Sequence, residues 1–440
     1  MASRNLARLL TTAAILVVYS ACAFALPNPQ IAWLEGQQDA LGGKLLDSQA
    51  GNGVLRGYTY DQALGVIAFT RAGETARAKA ILDTMADLLT PDGAPACWYA
   101  SYDYDTGSDT FYAPDGLSTP INTGANAWML QAICYYQAAT HDNSYQNLAL
   151  NQVQRMEALR NTTPGETYGT YQLRATWDTV NLKWDFTSGH NAAISNENQD
   201  DMYAALSSLA NLTSDATIRA KADAIRTHLA NEAWAPSPTS NFGHTQTIFW
   251  EGFNYPEIAT DCQSWGVLSQ GITGPGGEEY FRCLDWLLDT SNPSSTRTVQ
   301  DYNSILDVDG FDFGSEYGRF VWPEGTEGVV AALLDAAWDL KATDPTRAAE
   351  YLEMAAYFHG QTGRIIGADG GIIYSFWETN PGTFHDPENV RYEAVSSTAW
   401  YYFNESGVNP LSAVPEPATI SMLAFSALSL AGAAFRFRRK

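Results

Sequence analysis

Residues 195–210 combine an acidic start with a helical spacing of apolar residues. Ser195 is a good helix N-cap, because its side-chain oxygen can accept amide protons of the first turn. Acidic residues crowd the turn that follows, where the helix dipole favours negative charge. Met202, Leu206 and Leu209 then repeat at helical spacing. The pattern predicts an amphipathic helix with a buried face.

Similar starts recur along the chain, and each opens a segment rich in alanine, leucine and aromatic residues. The intervals between successive starts are 62, 74, 64, 64 and 68 residues. Such regular spacing is typical of a repeated supersecondary unit. The starts are Tyr60, Asn122, Asn196, Thr260, Glu324 and Tyr392.

A second, more charged helix is predicted after most of these starts, so that each repeat is a helical hairpin. Six inner helices with outer partners predict an all-α fold, an (α/α)6 toroid of six helical hairpins. We expect Gln30–Leu46 to supply the sixth outer helix. The other outer helices are predicted at Ala76–Leu89, Ser144–Leu159, Asp215–Ala233, Gly277–Leu288 and Pro345–Phe358.

Residues 1–25 have the pattern of a secretory signal peptide. Two arginines precede the apolar run Leu9–Val18, and Ala23-Phe24-Ala25 is a small-residue cleavage site. Residues 26–413 contain no Gly/Ser-rich or Pro-rich linker, and the repeat runs through them. We therefore expect one large domain over 26–413.

The tail 414–440 contains three ordered elements. Pro415-Glu416-Pro417 precedes the uncharged segment Ala418–Phe435, and a basic cluster ends the chain. The apolar segment is long enough to span a bilayer with the basic residues on the cytoplasmic side. The tail resembles the PEP-CTERM sorting signal of Gram-negative bacteria. That resemblance implies cleavage by an exosortase and release to the cell surface or the exopolysaccharide matrix. A plain tail anchor is the alternative.

The charge of the mature span restricts its partners. Residues 26–413 carry 19 basic and 48 acidic residues, a net charge of −29. Such a chain repels nucleic acid and anionic membranes, so we expect neither as a partner, apart from membrane insertion of the tail before processing. A neutral poly- or oligosaccharide fits this charge better than a strongly anionic one.

Cysteines and histidines give little support for a metal centre. The histidines are scattered, and we expect no cofactor. Two acidic loops, Asp103–Asp109 and Asp307–Asp312, contain oxygen ligands that could hold a structural calcium ion, although neither has EF-hand spacing. Export permits disulfides, and Cys262 and Cys283 lie on adjacent predicted helices, but they can equally be buried free thiols.

The helix starts also bring candidate chemistry together. Parallel inner helices would gather their N-termini, and the acidic residues there, at one mouth of the ring. Glycoside hydrolysis needs two carboxyl groups, an acid and a base or nucleophile, and crowding of like charges separates their pKa values. Acidic residues are also favoured at helix N-termini for structural reasons alone. The predicted rim contains Asp61, Glu197, Asp200, Asp201, Asp261, Glu324, Glu327 and Glu393.

Several motifs at these starts resemble those of bacterial (α/α)6-toroid proteins near the six-hairpin glycosidase superfamily. Examples are Tyr58–Leu64, Thr123–Trp128 and Val321–Thr326, and the likeness extends over most of residues 30–410. The resemblance implies a sugar cleft at the toroid mouth and glycan hydrolysis. Lyases and epimerases share the fold, so the fold alone does not determine the reaction.

We expect Glu197 to be the general acid and Asp61 the base or nucleophile, with Asp261 and Glu324 as competitors for the second position. Aromatic rings beside carboxylates suit sugar binding, because sugar C–H faces stack on them. The predicted substrate-binding residues are Tyr60, Trp98, Asn126, Trp128, His190, Asp201, Trp250, Trp265 and Trp322.

The sequence thus predicts a secreted carbohydrate-active protein, and a glycoside hydrolase is the favoured class. A non-catalytic glycan-binding protein of the matrix and a polysaccharide lyase are the alternatives. The net charge of −29 argues mildly against a lyase, since lyases bind uronic acids.

Overall fold

The computed structural model describes residues 28–187, 189–235, 248–249, 251, 258–292, 295–301, 307–314, 320–376 and 392–412. The predicted signal peptide and the predicted membrane segment of the tail lie outside these ranges. Within them, no helix combines the length and apolarity needed to cross a bilayer.

In the part of the chain that the structure describes, twelve α-helices alternate between an inner and an outer layer. The inner helices are α2 (Thr59–Ala72), α4 (Thr123–Thr140), α6 (Asn196–Thr213), α8 (Thr260–Gln270), α10 (Pro323–Leu340) and α12 (Val395–Ser406). The outer helices are α1 (Pro29–Ala40), α3 (Thr75–Asp87), α5 (Gln146–Met156), α7 (Ala216–His228), α9 (Arg282–Leu288) and α11 (Pro345–Thr362).

The inner helices form a closed ring. Each one packs against the next in chain order, and α12 packs against α2. Each outer helix packs against the inner helix of its own hairpin, while α1 packs against α12 and supplies the sixth outer position. The predicted (α/α)6 toroid of six hairpins is therefore confirmed.

Connections at the two ends of the ring differ greatly in length. The segments from an inner helix to the outer helix that follows it have 2 to 11 residues, whereas the segments that lead from an outer helix to the next inner helix have 18 to 39 residues and contain all the described strands. We call the end where the inner helices begin the mouth. Its strands are β1 (Arg56–Tyr58), β2 (Ser101–Asp105), β3 (Thr110–Tyr112), β4 (Ile121–Asn122), β5 (Arg174–Asp178), β6 (Lys183–Asp185), β7 (Trp234–Ala235), β8 (Ile248–Phe249), β9 (Arg297–Asp301) and β10 (Asp307–Phe311).

These strands form four small antiparallel sheets, in the orders β1-β2-β3, β4-β5-β6, β7-β8 and β9-β10. Their aromatic and β-branched side chains favour short strands.

Most helix starts agree with the sequence prediction to within one residue, because the caps are local. Ser195 accepts a hydrogen bond from the Asn198 amide, as its cap position requires. The sixth inner helix begins at Val395, three residues after the predicted start at Tyr392. Helix α9 begins at Arg282, five residues later than predicted, since the residues before it form turns.

The fourth residue (N4) of every inner helix fastens the preceding mouth segment to the helix. Gln199, for example, accepts from Tyr171 N and donates to Tyr171 O and to Ser195 O. Such bonds satisfy backbone groups that would otherwise be buried without partners. The N4 residues are Gln62, Asn126, Gln199, Gln263, Thr326 and Thr398.

The sixth residues (N6) of three alternate inner helices fill the centre of the ring below the mouth. They are Trp128, Trp265 and Trp400, all nearly or fully buried. The rings of Trp265 and Trp400 stack with centroids 5.8 Å apart, and Trp128 meets both edge-on. Residues N2 and N6 lie on one face of a helix, so this tryptophan layer is the floor of the mouth.

Carboxylates of the two acidic loops form ion pairs, and the cysteines are free thiols. Asp103 pairs with Arg56, and Asp109 pairs with Lys44 in the β2–β3 turn. In the second loop Asp309 pairs with Arg297. Three of the loop carboxylates are thus paired with basic side chains, and a structural calcium ion at either loop stays a prediction. Cysteines 97, 134, 262 and 283 are all buried and free.

Candidate active site

The second residues (N2) of the six inner helices form the rim of the mouth. Because the helices are equivalent, the repeat places these side chains in one ring, which we call the N2 ring. Three of its members are carboxylic acids, and the remaining three are a tyrosine, a glycine and a serine. The N2 ring consists of Tyr60, Gly124, Glu197, Asp261, Glu324 and Ser396.

Glycine is required at one position of this ring. A Cβ atom on Gly124 would lie 2.0 Å from Asn198 Oδ1 and 3.1 Å from Asp201 Oδ2. The absence of a side chain therefore lets helices α4 and α6 approach closely. This approach brings the acidic start of α6 against the wall of the mouth.

Glu324 is held by hydrogen bonds across the rim. The Tyr60 hydroxyl donates to Glu324 Oε1 at 2.6 Å, and Trp400 Nε1 donates to the same hydroxyl at 2.9 Å. Burial raises the pKa of Glu324 to about 6, while hydrogen bonds from Tyr60, Ser396 and Trp322 limit the rise. Glu324 is therefore the rim acid that ionises most readily near neutral pH.

Glu197 has the opposite tendency. Burial raises its pKa well above the usual value, and the negative charges of Asp261 and Glu251 raise it further. Asp261 itself is buried, and its pKa is also well above the usual value through burial and the charge of Glu251. Like charges this close cannot all ionise, so Glu197 and Asp261 retain protons where Glu324 has lost its own.

Asp61 lies one residue deeper, at N3 of α2, and is only 7% exposed. Burial raises its pKa to about 8, and the charges of Glu324 and Asp47 contribute to the rise. The charge of Glu324 therefore acts on Asp61. The neutral form of Asp61 is favoured at neutral pH.

Asp201 occupies the N6 position of α6, at the level of the tryptophan layer. Its side chain is 1% exposed, and neither carboxylate oxygen has a hydrogen-bond partner. Burial raises its pKa well above the usual value, and the charges of Asp200 and Asp261 add to the effect. A protonated Asp201 belongs to the floor of the mouth.

Three of the acids predicted at the rim lie elsewhere. Asp200 is fully buried and accepts hydrogen bonds from Ser269 and Gln270 on α8. Glu327 is fully buried beside His359 on α11. Glu393 precedes α12 and accepts a hydrogen bond from Trp33. The prediction of one shared rim is therefore wrong for these three, because N5 side chains point to neighbouring helices and α12 starts late.

Two predicted substrate contacts are structural. The Asn126 amide is fully buried, and it bonds to the backbone of Trp98 and of Asn122 as the N4 residue of α4. The Trp98 side chain is fully buried, and its Nε1 donates to Met85 O on α3. Neither side chain has a free polar group to offer, which corrects their assignment to sugar binding.

The other predicted aromatic residues lie at or below the mouth. Tyr60 is half-buried in the N2 ring, and Trp128 and Trp265 form the floor beneath it. Their burial corrects the expectation that Trp128 and Trp265 are open stacking platforms. Trp322 caps α10 and lies against Phe313, with ring centroids 5.3 Å apart. Trp250 and the side chain of His190 lie outside the described residues.

Sequence reasoning missed Glu251, Tyr374 and Ser396 as members of the site. Glu251 accepts a hydrogen bond from the Cys262 thiol at 2.9 Å. Tyr374 is half-buried, and its pKa is raised by burial and by the charges of Glu324, Asp61 and Glu197. Both lie in long mouth segments, where no periodicity indicates position. Ser396 would have been found by aligning α12 correctly with the repeat.

Glu251, Asp261 and Cys262 are the described residues grouped so that they could hold a metal ion, with ligand atoms within 4.8 Å of one another. Burial raises the pKa of the Cys262 thiol well above its usual value. The thiol is therefore protonated without a metal ion, and it donates a hydrogen bond to Glu251.

Comparison with known proteins identifies the sorting signal in the tail. A family model for the PEP-CTERM protein-sorting motif matches residues 413–440, which confirms the resemblance of the tail. This motif indicates export, membrane anchoring of the C-terminus before processing, and cleavage by an exosortase. The comparison with curated proteins found no match.

Solved structures similar to the whole ring include sugar epimerases and glycosidases. A sugar epimerase from a ruminal bacterium aligns with a TM-score of 0.58 and 12% identity, over 87% of this chain and 97% of the other. Cellobiose 2-epimerase from Spirochaeta thermophila gives 0.57 and 14%, over 95% and 98%. A glycosidase variant solved in complex with glucose gives 0.53 and 12%, over 85% and 93%. The likeness confirms the (α/α)6 toroid fold.

Proposed function

We propose that this protein is an exported glycoside hydrolase that acts on a neutral poly- or oligosaccharide. The observation that carries the proposal is the difference between two acids of the N2 ring. Glu197 is held protonated by burial and neighbouring carboxylates, while Glu324 has a pKa of about 6. An acid and a carboxylate at one mouth are what glycosidic cleavage requires.

In this mechanism Glu197 is the general acid. Its proton passes to the glycosidic oxygen as the bond to the anomeric carbon breaks, which relieves the charge on the leaving group. Burial keeps this proton in place at neutral pH, and Asp261 and Glu251 act on Glu197 rather than on the sugar, because ionisation of either neighbour makes loss of the Glu197 proton still less favourable.

Glu324 is the base or nucleophile. The Tyr60 hydroxyl stabilises its ionised form and fixes Oε1 at the rim. We place Glu324 ahead of Asp61 in this role, since a pKa of about 8 keeps Asp61 protonated at neutral pH. Asp61 then serves as a neutral hydrogen-bonding group beside Glu324.

The substrate class follows from charge. Burial and neighbouring carboxylates raise the pKa values of the acidic residues at the mouth. The mature span also has a net charge of −29. An anionic polysaccharide would add repulsion to this site, whereas a neutral glycan would not. The sorting signal supports action at the cell surface or in the extracellular matrix of a Gram-negative bacterium.

A sugar epimerase is the second candidate, because two of the similar structures are sugar epimerases. The test is incubation of the full-length protein, purified in detergent, with neutral polysaccharides and with reducing disaccharides. New reducing ends support the hydrolase. Conversion of a disaccharide to its epimer without new reducing ends would establish the second candidate. Products that absorb ultraviolet light would instead indicate a lyase. Binding of a polysaccharide without any product would indicate a glycan-binding protein.

A further inference from the structure

Strands β5 and β6, with the turn that joins them, form a hairpin at the mouth that the proposed reaction does not use. We call residues 174–185 the aromatic hairpin. Trp177 and Trp184 face each other as a cross-strand pair, with ring centroids 5.4 Å apart at an interplanar angle of 76°. Both rings are partly exposed. At the tip, Val180 is 87% exposed and Leu182 is 71% exposed.

The position of the hairpin is fixed by the two neighbouring inner helices. Strand β5 pairs with β4, which leads directly into α4, and the Thr123 amide at the start of α4 donates to Leu173 O. On the other side Asn191 accepts from Arg174 and donates to Thr176 and to Asp185 O. Asn191 precedes Glu197 by six residues. The hairpin is therefore fastened to the segments that lead into α4 and into α6, and α6 carries the proposed acid.

The aromatic pair of the hairpin packs against Tyr99, which is bonded to the start of the first inner helix. Trp184 lies beside Tyr99, with ring centroids 6.5 Å apart. The carbonyl of Tyr99 accepts a hydrogen bond from the hydroxyl of Thr59, the residue before Tyr60. The partly exposed rings of Trp177 and Trp184 thus form a short aromatic path, and the buried Tyr99 beside them is fastened through its backbone to the start of α2.

The chemistry of this path fits a sugar chain. Aromatic faces stack on the apolar C–H faces of sugar rings, and polar groups at their edges bond to hydroxyls. The exposed Asn181 and Lys183 and the partly exposed Asp185 border the rings on the hairpin. A lone exposed valine or leucine would need no explanation, but an exposed apolar tip continuous with aromatic rings at a mouth marks a binding surface.

We propose that the aromatic hairpin binds units of a neutral polysaccharide that lie outside the catalytic mouth. The protein then prefers long chains to short oligosaccharides. This inference rests on the proposed function for the identity of the ligand, and it goes beyond that function by assigning a second binding surface and the length of the substrate. Removal of either tryptophan weakens binding of the polymer while the chemistry at Glu197 and Glu324 is unchanged.

The binding test uses full-length protein carrying Glu197→Gln, so that no substrate is consumed. Its retardation is measured in native gels that contain amylopectin, mixed-linkage β-glucan, galactomannan or arabinoxylan. We expect one of these polymers to retard the protein, and Trp177→Ala or Trp184→Ala to weaken that retardation at least tenfold. Trp184→Tyr, which keeps an aromatic ring, should restore most of it.

The matched control is Trp338→Ala, because Trp338 is 38% exposed on α10, away from the mouth. Equal retardation of the Trp184→Ala and Trp338→Ala proteins would overturn the proposal, as would no retardation by any polymer. Thermal unfolding of each variant shows whether it is folded. If an alanine variant does not fold, the Trp184→Tyr protein still tests the proposal.

The two proposals fail separately. With Glu197 restored, Trp184→Ala should lower kcat/KM on the polymer at least tenfold and leave kcat/KM on a disaccharide or trisaccharide unchanged. Equal loss on both substrates would contradict the second surface but not the hydrolase. Retardation that depends on Trp184 in a protein without hydrolytic activity would contradict the hydrolase but not the second surface.

Discussion

The hydroxyl of Tyr60 on the first inner helix donates a 2.6 Å hydrogen bond to Glu324 on the fifth. The two residues are 264 positions apart in the chain, yet both are N2 residues of their helices. The bond crosses the mouth past α12, whose Trp400 donates to the same hydroxyl. A repeated position in a closed ring thus produces the contact that sets the ionisation of one acid.

Replacing Tyr60 by phenylalanine should move the acidic limb of the pH–activity profile to higher pH. The lost hydrogen bond favoured the ionised form of Glu324, so the pKa of Glu324 rises above its present value of about 6. The measurement is kcat/KM between about pH 4.5 and 8.5. Tyr112→Phe is the control, because Tyr112 is 51% exposed on β3. An unchanged acidic limb would remove Tyr60 from the account.

Asp200→Asn should stabilise the protein at alkaline pH. Burial raises the pKa of Asp200 from 3.8 to about 8, so the folded protein keeps a proton that the unfolded chain releases, and stability falls as the pH rises from 3.8 to about 8. Asparagine cannot ionise and can still accept from Ser269 and Gln270. We expect a gain in unfolding free energy on the order of a few kcal/mol at about pH 9 and little below about pH 4. Urea denaturation measures it, with exposed Asp223→Asn as control; a gain independent of pH contradicts the prediction.

Asn126→Ala should destabilise the fold without changing substrate recognition. The substitution leaves the amide and carbonyl of Trp98 and the carbonyl of Asn122 without this partner, at a cost of about 2–4 kcal/mol. Chemical denaturation measures the loss, and Asn211→Ala on the exposed side of α6 is the control. A raised KM with unchanged stability would return Asn126 to the binding site.

His359→Gln should destabilise the protein more at acidic than at alkaline pH. Burial would lower the pKa of His359, but the charge of Glu327 and the hydrogen bond to it outweigh burial and raise the pKa overall, with a contribution from Glu405. A raised pKa gives stability that is present below the unfolded pKa and lost as the pH rises through the folded one. Unfolding free energies of both proteins between about pH 6 and 9 test this. A difference that does not shrink with rising pH would contradict it.

The repeat could be predicted because its signals are local. Caps such as Ser195, acidic first turns and apolar spacing lie within a few residues of each other, so the ring and the N2 positions of Glu197, Asp261 and Glu324 followed from the sequence. The position of a residue within its helix determines which neighbour its side chain faces, and the sequence alone does not distinguish two adjacent acidic residues. Asp200 and Asp201 are adjacent, yet one turns to α8 and the other to the floor.

What could not be predicted depends on contacts between distant segments. Nothing in the sequence distinguishes the Asn126 amide, bonded to a backbone 28 positions away, from an amide that faces a ligand. Glu251 and Tyr374 come from mouth segments without periodicity. The shift in start from Tyr392 to Val395 moved Glu393 out of the ring and Ser396 into it.

The most direct test of the account is the activity of Glu197→Gln on two substrates with different leaving groups. On a hydrolysed neutral polysaccharide we expect kcat to fall about 10²–10⁴-fold, as for loss of a general acid. On an aryl glycoside whose leaving group needs no proton, the loss should be much smaller. Glu232 is exposed and lies just after the outer helix α7, so Glu232→Gln should behave as wild type. Unchanged turnover of the polysaccharide, or equal loss on both substrates, would contradict the role of Glu197 as the acid.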